Sequence, residues 1–256
     1  IYAIESYDTT TVRASIGNYL LGKYISKYSQ AKVIFNGDGS DELLGGYLYM
    51  GKCPDDFEFD KETRRLLEDI YLFDVLRSDK SISSHGLEPR TPFLDKTFVN
   101  YILSIPPYFR NHKNANKCEK YLLRQSFTND YFKTADGRQI LPDKILWRTK
   151  EAFSDGVSSE KNNWLDKIKA LTSASIDNST FEFAKKTTLH CAPRTKEELY
   201  YRKIFNAFYR TEGDNWIVDY WMPRWSPETI DPSARTLTLY SNINNKEIPE
   251  ETATRT

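Results

Sequence analysis

The stretch that most limits how this chain can fold is 31–49, AKVIFNGDGSDELLGGYLY. Val33, Ile34 and Phe35 form a short β-branched and aromatic run between polar neighbours, the pattern of a buried strand. Asn36-Gly37-Asp38-Gly39-Ser40 then breaks the strand, and the pattern predicts a helix starting at Ser40, a good N-cap residue. Asp41 and Glu42 fall in its first turn, where the helix dipole favours carboxylates. A loop running from the carboxyl end of a buried strand into a helix is the usual ligand crevice of an open α/β sheet. A glycine turn with ordinary capping is the plainer alternative, and two features weigh against it. Asp38, Asp41 and Glu42 place three carboxylates within five positions, more negative charge than a cap needs. Gly45 and Gly46 then fall inside the expected helix, where glycine costs about 1 kcal/mol relative to alanine.

The loop has neither the G-x-x-x-x-G-K-[ST] pattern of a P-loop nor the G-x-G-x-x-G of a dinucleotide fold. Three carboxylates repel bare phosphate unless a cation lies between. Magnesium suits that place, because it binds through one or two carboxylates plus substrate phosphate oxygens. The residues therefore predict a site for a magnesium nucleotide or pyrophosphate.

Charge and length narrow the class. The 36 basic residues equal the 36 acidic ones, so no net field draws the chain to nucleic acid or an anionic membrane. No apolar run approaches the roughly 18 residues of a spanning helix, and the N-terminus lacks the regions of a signal peptide. Cys53, Cys118 and Cys191 are odd in number and widely spaced, which suits reduced thiols in a cytoplasmic protein. His85, His112 and His190 show no metal-ligand spacing. The 256 residues suffice for one domain with a substantial core. The chain starts at Ile1 and enters structured-looking sequence at once, so it reads as the rear part of something longer.

Along the chain, Val12, Ile16, Leu20 and Tyr24 recur at four-residue steps over 7–28, predicting a helix packed on a core, capped by Asp8 or a following threonine. Arg13 sits one turn in; it and a threonine could bind phosphate, or serve as a surface residue and a cap. A helix over 62–78 is expected, with Lys80 near its end. Two prolines stiffen GLEPRTPFLD, in which Arg90 is an anion ligand or a partner of Glu88 or Asp95. Asp95 caps the next helix, which stops at Pro106-Pro107. Helices are expected over 117–127, after Pro142 and over 158–171, with a less regular 177–188. Lys150 stands in a loop of small and aromatic residues. Thr195 to Glu198 reads as a capping box opening a helix to Tyr209. Residues 216–225 read as irregular, and 241–256 as a disordered tail.

Taken together, these blocks resemble the asparagine synthetase family. NGDGSDELLGGYLY is similar to its signature S-G-E-G-S-D-E…G-G-Y, and GLEPRTPFLD, EKYLLRQSF, LPDKILWRTKEAFSDGV, TKEELYYRKIF and DYWMPRW…DPSARTLTLY continue the likeness over 7–240. The closing stretch resembles the eukaryotic type. The resemblance implies a helix-rich α/β fold of the adenine-nucleotide α-hydrolase-like (PP-loop ATPase) kind, with 1–240 as the rear part of the synthetase domain. It implies ATP and Mg2+, aspartate and ammonia as partners, β-aspartyl-AMP as intermediate, and a homodimer as the candidate assembly. By position, Asn36, Gly37 and Gly39 would hold ATP, and Thr10 and Arg13 pyrophosphate. Asp38 would take a proton as ammonia attacks, and Lys150 would steady charge on the phosphate and the tetrahedral intermediate. Lys80 and Arg90 would stand on the catalytic wall, and Asp41 and Glu42 at the metal. This chain departs from the pattern in having Asn36 for its Ser and Asp38 for its Glu. The S-G-G-x-D-S pyrophosphate loop and the N-terminal cysteine nucleophile of the family have no match here, so the chain is not expected to hydrolyse glutamine or to complete the ATP chemistry alone. A β-lactam synthetase-like ligase and a non-catalytic module are the competing readings.

Overall fold

Asp8 sets where the first helix begins: its side chain accepts the Thr11 backbone N–H at 2.8 Å and the Trp221 N–H at 2.9 Å. It caps α1 (Thr9–Tyr28) in the computed structural model, which describes residues 1–128, 130–148, 150–156, 164–227 and 229–233. β1 (Val33–Phe35), α2 (Ser40–Leu44), α3 (Asp56–Asp69), α4 (Asp74–Ser83), β2 (Glu88–Arg90), α5 (Lys96–Ser104) and α6 (Pro107–Arg110) follow. Next come α7 (Tyr121–Ser126), α8 (Asp143–Leu146), α9 (Phe153–Gly156), α10 (Trp164–Ser175), α11 (Asn178–Thr187) and α12 (Lys196–Tyr209). The α/β character is therefore strongly helical. The tail expected over 241–256 lies outside the described residues, as does the start of the helix expected from Ser158.

β1 pairs in parallel with β2, Ile34 opposite Pro89, and the two make the whole sheet among the described residues. The strand is where the sequence places it, but it is not buried: Phe35 is 75% exposed and Val33 is exposed as well. A two-stranded ribbon leaves too little cover for either face. The stripe expected on α1 is also rotated. Val12 is buried, yet Leu20 and Tyr24 face outward, and the buried side carries Thr11, Arg13, Ala14, Ser15 and Gly22. These small and polar groups let α4 lie close along α1; a Cβ on Gly22 would already stand 3.3 Å from Ile82.

The helix expected over 62–78 is two helices. Residues 70–72 tighten into a 3-10 turn, and Phe73 takes φ −128° and ψ −90°, which resets the phase before α4. The capping box at Thr195 and Glu198 is present as predicted, and Asp95 caps α5 through the Thr97 and Phe98 N–H groups. Three apolar clusters hold these parts together. Tyr49, Met50, Cys53 and Phe59 pack with Trp221; Ile4, Tyr7 and Val12 with Phe205 and Tyr220; and Leu43 and Leu44 with Ile102. The segment after α12 thus returns to cover both α1 and the turn that follows α2.

Candidate active site

A cleft of about 680 Å³ opens at the carboxyl end of β1. The β1–α2 loop brings Asn36, Gly37 and Asp38 to it, α2 brings Asp41 and Glu42, and α1 brings Thr10 and Arg13. Lys150 enters from the segment before α9, Asp74 and Arg77 from α4, and Pro232 and Ser233 from the last described residues. The crevice expected at the end of the strand is real. Gly39, at φ +88°, is the N-cap of α2 in place of Ser40, and Leu94 occupies the space a side chain there would need. Gly39 shapes the loop but does not line the cleft.

The two glycines that argued against an ordinary helix have separate reasons. α2 ends at Leu44, and Gly45 caps it at φ +63°, the left-handed conformation glycine adopts without strain. At Gly46 a Cβ would overlap the Asp41 carboxylate. Asp41 in turn is gripped by two ammonium groups, Lys150 Nζ at 3.0 Å from Oδ2 and Lys120 Nζ at 2.9 Å from Oδ1. Burial pushes its acidity toward the neutral form, but Lys150 and Lys120 outweigh this and hold it below the usual carboxylate range. Lys150 also stands 5.8 Å from the centre of the Tyr47 ring.

Glu42 behaves in the opposite way. It is buried, the Tyr47 hydroxyl donates to it, and burial followed by the charges of Asp74 and Asp41 pushes it up to about 8. Both effects favour its protonated form. Asp38 is also raised, first by burial and then by Asp74, against the lowering effects of Ser78, Arg77 and Asn36. A carboxylate whose proton affinity is raised inside a cleft is in the environment of a general base. Arg77 is buried on the floor, 2.5 Å from Asp74 and 4.0 Å from Asp38.

Several expected residues stand elsewhere. Arg90 is an exposed partner of Glu88 at 2.6 Å, and Lys80 pairs with Glu5; neither lines the cleft. Arg13 lines the cleft but carries no free face toward phosphate. Its Nε and Nη2 donate to Glu197 at 2.8 and 2.6 Å, and its Nη1 and Nη2 to Asp231 at 2.8 and 3.0 Å. An arginine held by two carboxylates in this way anchors the last described segment to α1 and α12. Thr10 keeps a buried hydroxyl with no hydrogen-bond partner at the cleft wall. A magnesium ion at Asp41 or Glu42 would have to compete with the partners they already hold, two lysines at Asp41 and the Tyr47 hydroxyl at Glu42. Among the described residues no cluster of three or more acidic, His or Cys side chains could hold a metal. The structure adds Tyr47, Asp74 and Arg77 to the cleft and sets Lys120 against Asp41. Arg77 and Lys80 lie one turn apart on α4, and only the helix phase decides which one turns inward.

The pattern of the family described as asparagine synthase matches residues 1–58 and 52–237. The chain is 48% identical over 242 residues to asparagine synthetase [glutamine-hydrolyzing] of Gallus gallus, 47% to that of Cricetulus griseus and 46% to that of Homo sapiens. Each alignment covers 94% of this chain and 41% of the relative, so the chain spans less than half the length of those proteins.

Proposed function

This chain belongs to the asparagine synthase family, and from that we propose that it is the rear part of the synthetase domain of a ligase that makes asparagine from aspartate, ATP and ammonia. In this reading the fold is of the adenine-nucleotide α-hydrolase-like kind and residues 1–240 complete a nucleotide site together with a preceding part of the protein. Glutamine supplies the ammonia through a glutaminase domain, and the enzyme works in the cytoplasm as a homodimer. The observation that carries the reading is the convergence of Asp38, Asp41 and Lys150 in one cleft at the carboxyl end of β1.

The chemistry is the one that membership of the family implies, with roles for those groups. A carboxylate oxygen of the aspartate side chain attacks the α-phosphorus of ATP, pyrophosphate leaves, and β-aspartyl-AMP forms. Ammonia then adds to the acyl carbon, loses a proton, and expels AMP to leave the amide. Asp38, raised by burial, accepts that proton. The ammonium of Lys150, held at the cleft by Asp41, neutralises charge on the phosphate and on the tetrahedral oxyanion. Magnesium bound with the nucleotide would neutralise phosphate charge, and Asp41 would be the residue to hold it on releasing a lysine.

The complete polypeptide is the material for the test. Incubated with aspartate, ATP and ammonia, it is expected to form asparagine, AMP and pyrophosphate in equal amounts. Lys150→Met lowers kcat by about 10²–10³, the scale for losing one charge-stabilising group. Amide formed only from another carboxylic acid would favour the β-lactam synthetase-like ligase. A complete polypeptide that neither turns over nor binds ATP would make the chain a non-catalytic module.

A further inference from the structure

Asn36 and Asp38 are the two places where the loop departs from the signature it resembles, and the structure ties them to each other. The Asn36 amide nitrogen donates to Asp38 Oδ2 at 3.0 Å, and the Asp38 backbone N–H donates back to Asn36 Oδ1 at 3.2 Å. The same amide nitrogen lies 3.4 Å from the Ser78 hydroxyl of α4. One carboxamide thus holds both the backbone and the carboxylate of Asp38, and the Ser78 hydroxyl supports the same carboxylate. Arg77, the cation nearest that carboxylate, stands 4.0 Å away, beyond a close ion pair. Asn36 therefore holds the Asp38 carboxylate at hydrogen-bond distance where Arg77 does not.

We propose that Asn36 is the positioning residue of the Asp38 carboxylate, and that the two form a matched pair in which an amide at 36 requires the short acid at 38. The serine of the signature has no carboxamide to reach the carboxylate. A glutamate at 38 carries its oxygens past the Asn36 amide toward Arg77 and gives up that bond. Each single exchange therefore breaks the pair, and the double exchange replaces it by the alternative arrangement. The catalytic use of the carboxylate rests on the amide-ligation reading above; the pairing itself does not.

The test is a double-mutant cycle in the complete polypeptide with Asn36→Ser, Asp38→Glu and both together. Each single variant is expected to lower kcat for asparagine formation about tenfold, with KM for aspartate changed less than about threefold. The double variant is expected within about threefold of the parent, far from the roughly hundredfold loss that independent effects would give. A double variant that loses the product of the two single effects overturns the pairing. So does Asp38→Glu alone at or above parental activity, which would make Asn36 a bystander. If the parent forms no asparagine, the ligase reading fails, and the pairing is read from carbon NMR titration of the Asp38 carboxyl. Asn36→Ser then moves its midpoint upward, because a donor to the charged form is lost; an unmoved midpoint overturns the pairing.

Discussion

Replacing Glu42 with glutamine should stabilise the fold, and by an amount that depends on pH in a calculable way. The ordinary value for a glutamate is 4.5, and in the folded chain burial and the charges of Asp74 and Asp41 raise Glu42 to about 8. A carboxyl whose folded value is raised contributes its stability fully below the unfolded value and loses it as pH rises toward the folded one. At pH 7 the folded group still holds its proton while the unfolded one has released it. Over the 2.5 units separating pH 7 from 4.5, at 1.36 kcal/mol per unit, folding bears a penalty of about 3 kcal/mol. At pH 4.5 the same penalty is below about 1 kcal/mol. Glutamine does not titrate, fills nearly the same volume and still offers an oxygen to the Tyr47 hydroxyl, which donates to Glu42 in the structure. The advantage of Glu42→Gln over the parent should therefore grow by about 3 kcal/mol between pH 4.5 and 7. Urea unfolding of both proteins at intervals across that range measures the difference directly. A difference flat to within about 0.5 kcal/mol over the range would refute the claim that Glu42 is a protonated acid at neutral pH.

Arg13→Ala leaves buried Glu197 without its counter-ion and Asp231 with Lys169 in place of the arginine, so the unfolding free energy should fall by about 3–5 kcal/mol. An unchanged urea midpoint with lost activity would instead make Arg13 a substrate ligand. Gly46→Ala drives a Cβ into the Asp41 carboxylate and should lower kcat at least about tenfold by displacing Lys150; kinetics as good as the parent's would mean that Asp41 is free to move. Arg90→Ala removes an exposed pair with Glu88, and should change stability by less than about 0.5 kcal/mol while leaving asparagine formation unaltered. A drop in turnover would return Arg90 to the cleft wall.

What the sequence makes legible here is local. Val33 to Glu42 announces a strand, a glycine turn and a helix with acids in its first turn because each of those signals lies within a few residues of its consequence. The caps at Asp8, Asp95 and Thr195 are legible for the same reason. Burial is not local. Val33 and Phe35 have the composition of a buried strand, and whether they are covered depends on what packs over a two-stranded sheet. Long-range pairing decides the site in the same way. Arg13 has the residue type and the place of a phosphate ligand, but Glu197 and Asp231, about 180 and 220 positions away, claim its guanidinium first. Asp41 and Glu42 are chemical neighbours in sequence that end in opposite states. One meets Lys120 and Lys150 and keeps its charge, while the other meets Tyr47 and the field of Asp74 and keeps its proton. A motif therefore fixes which groups arrive at the cleft, and the partners delivered by α4, α7 and the segment before α9 fix what each group can do there.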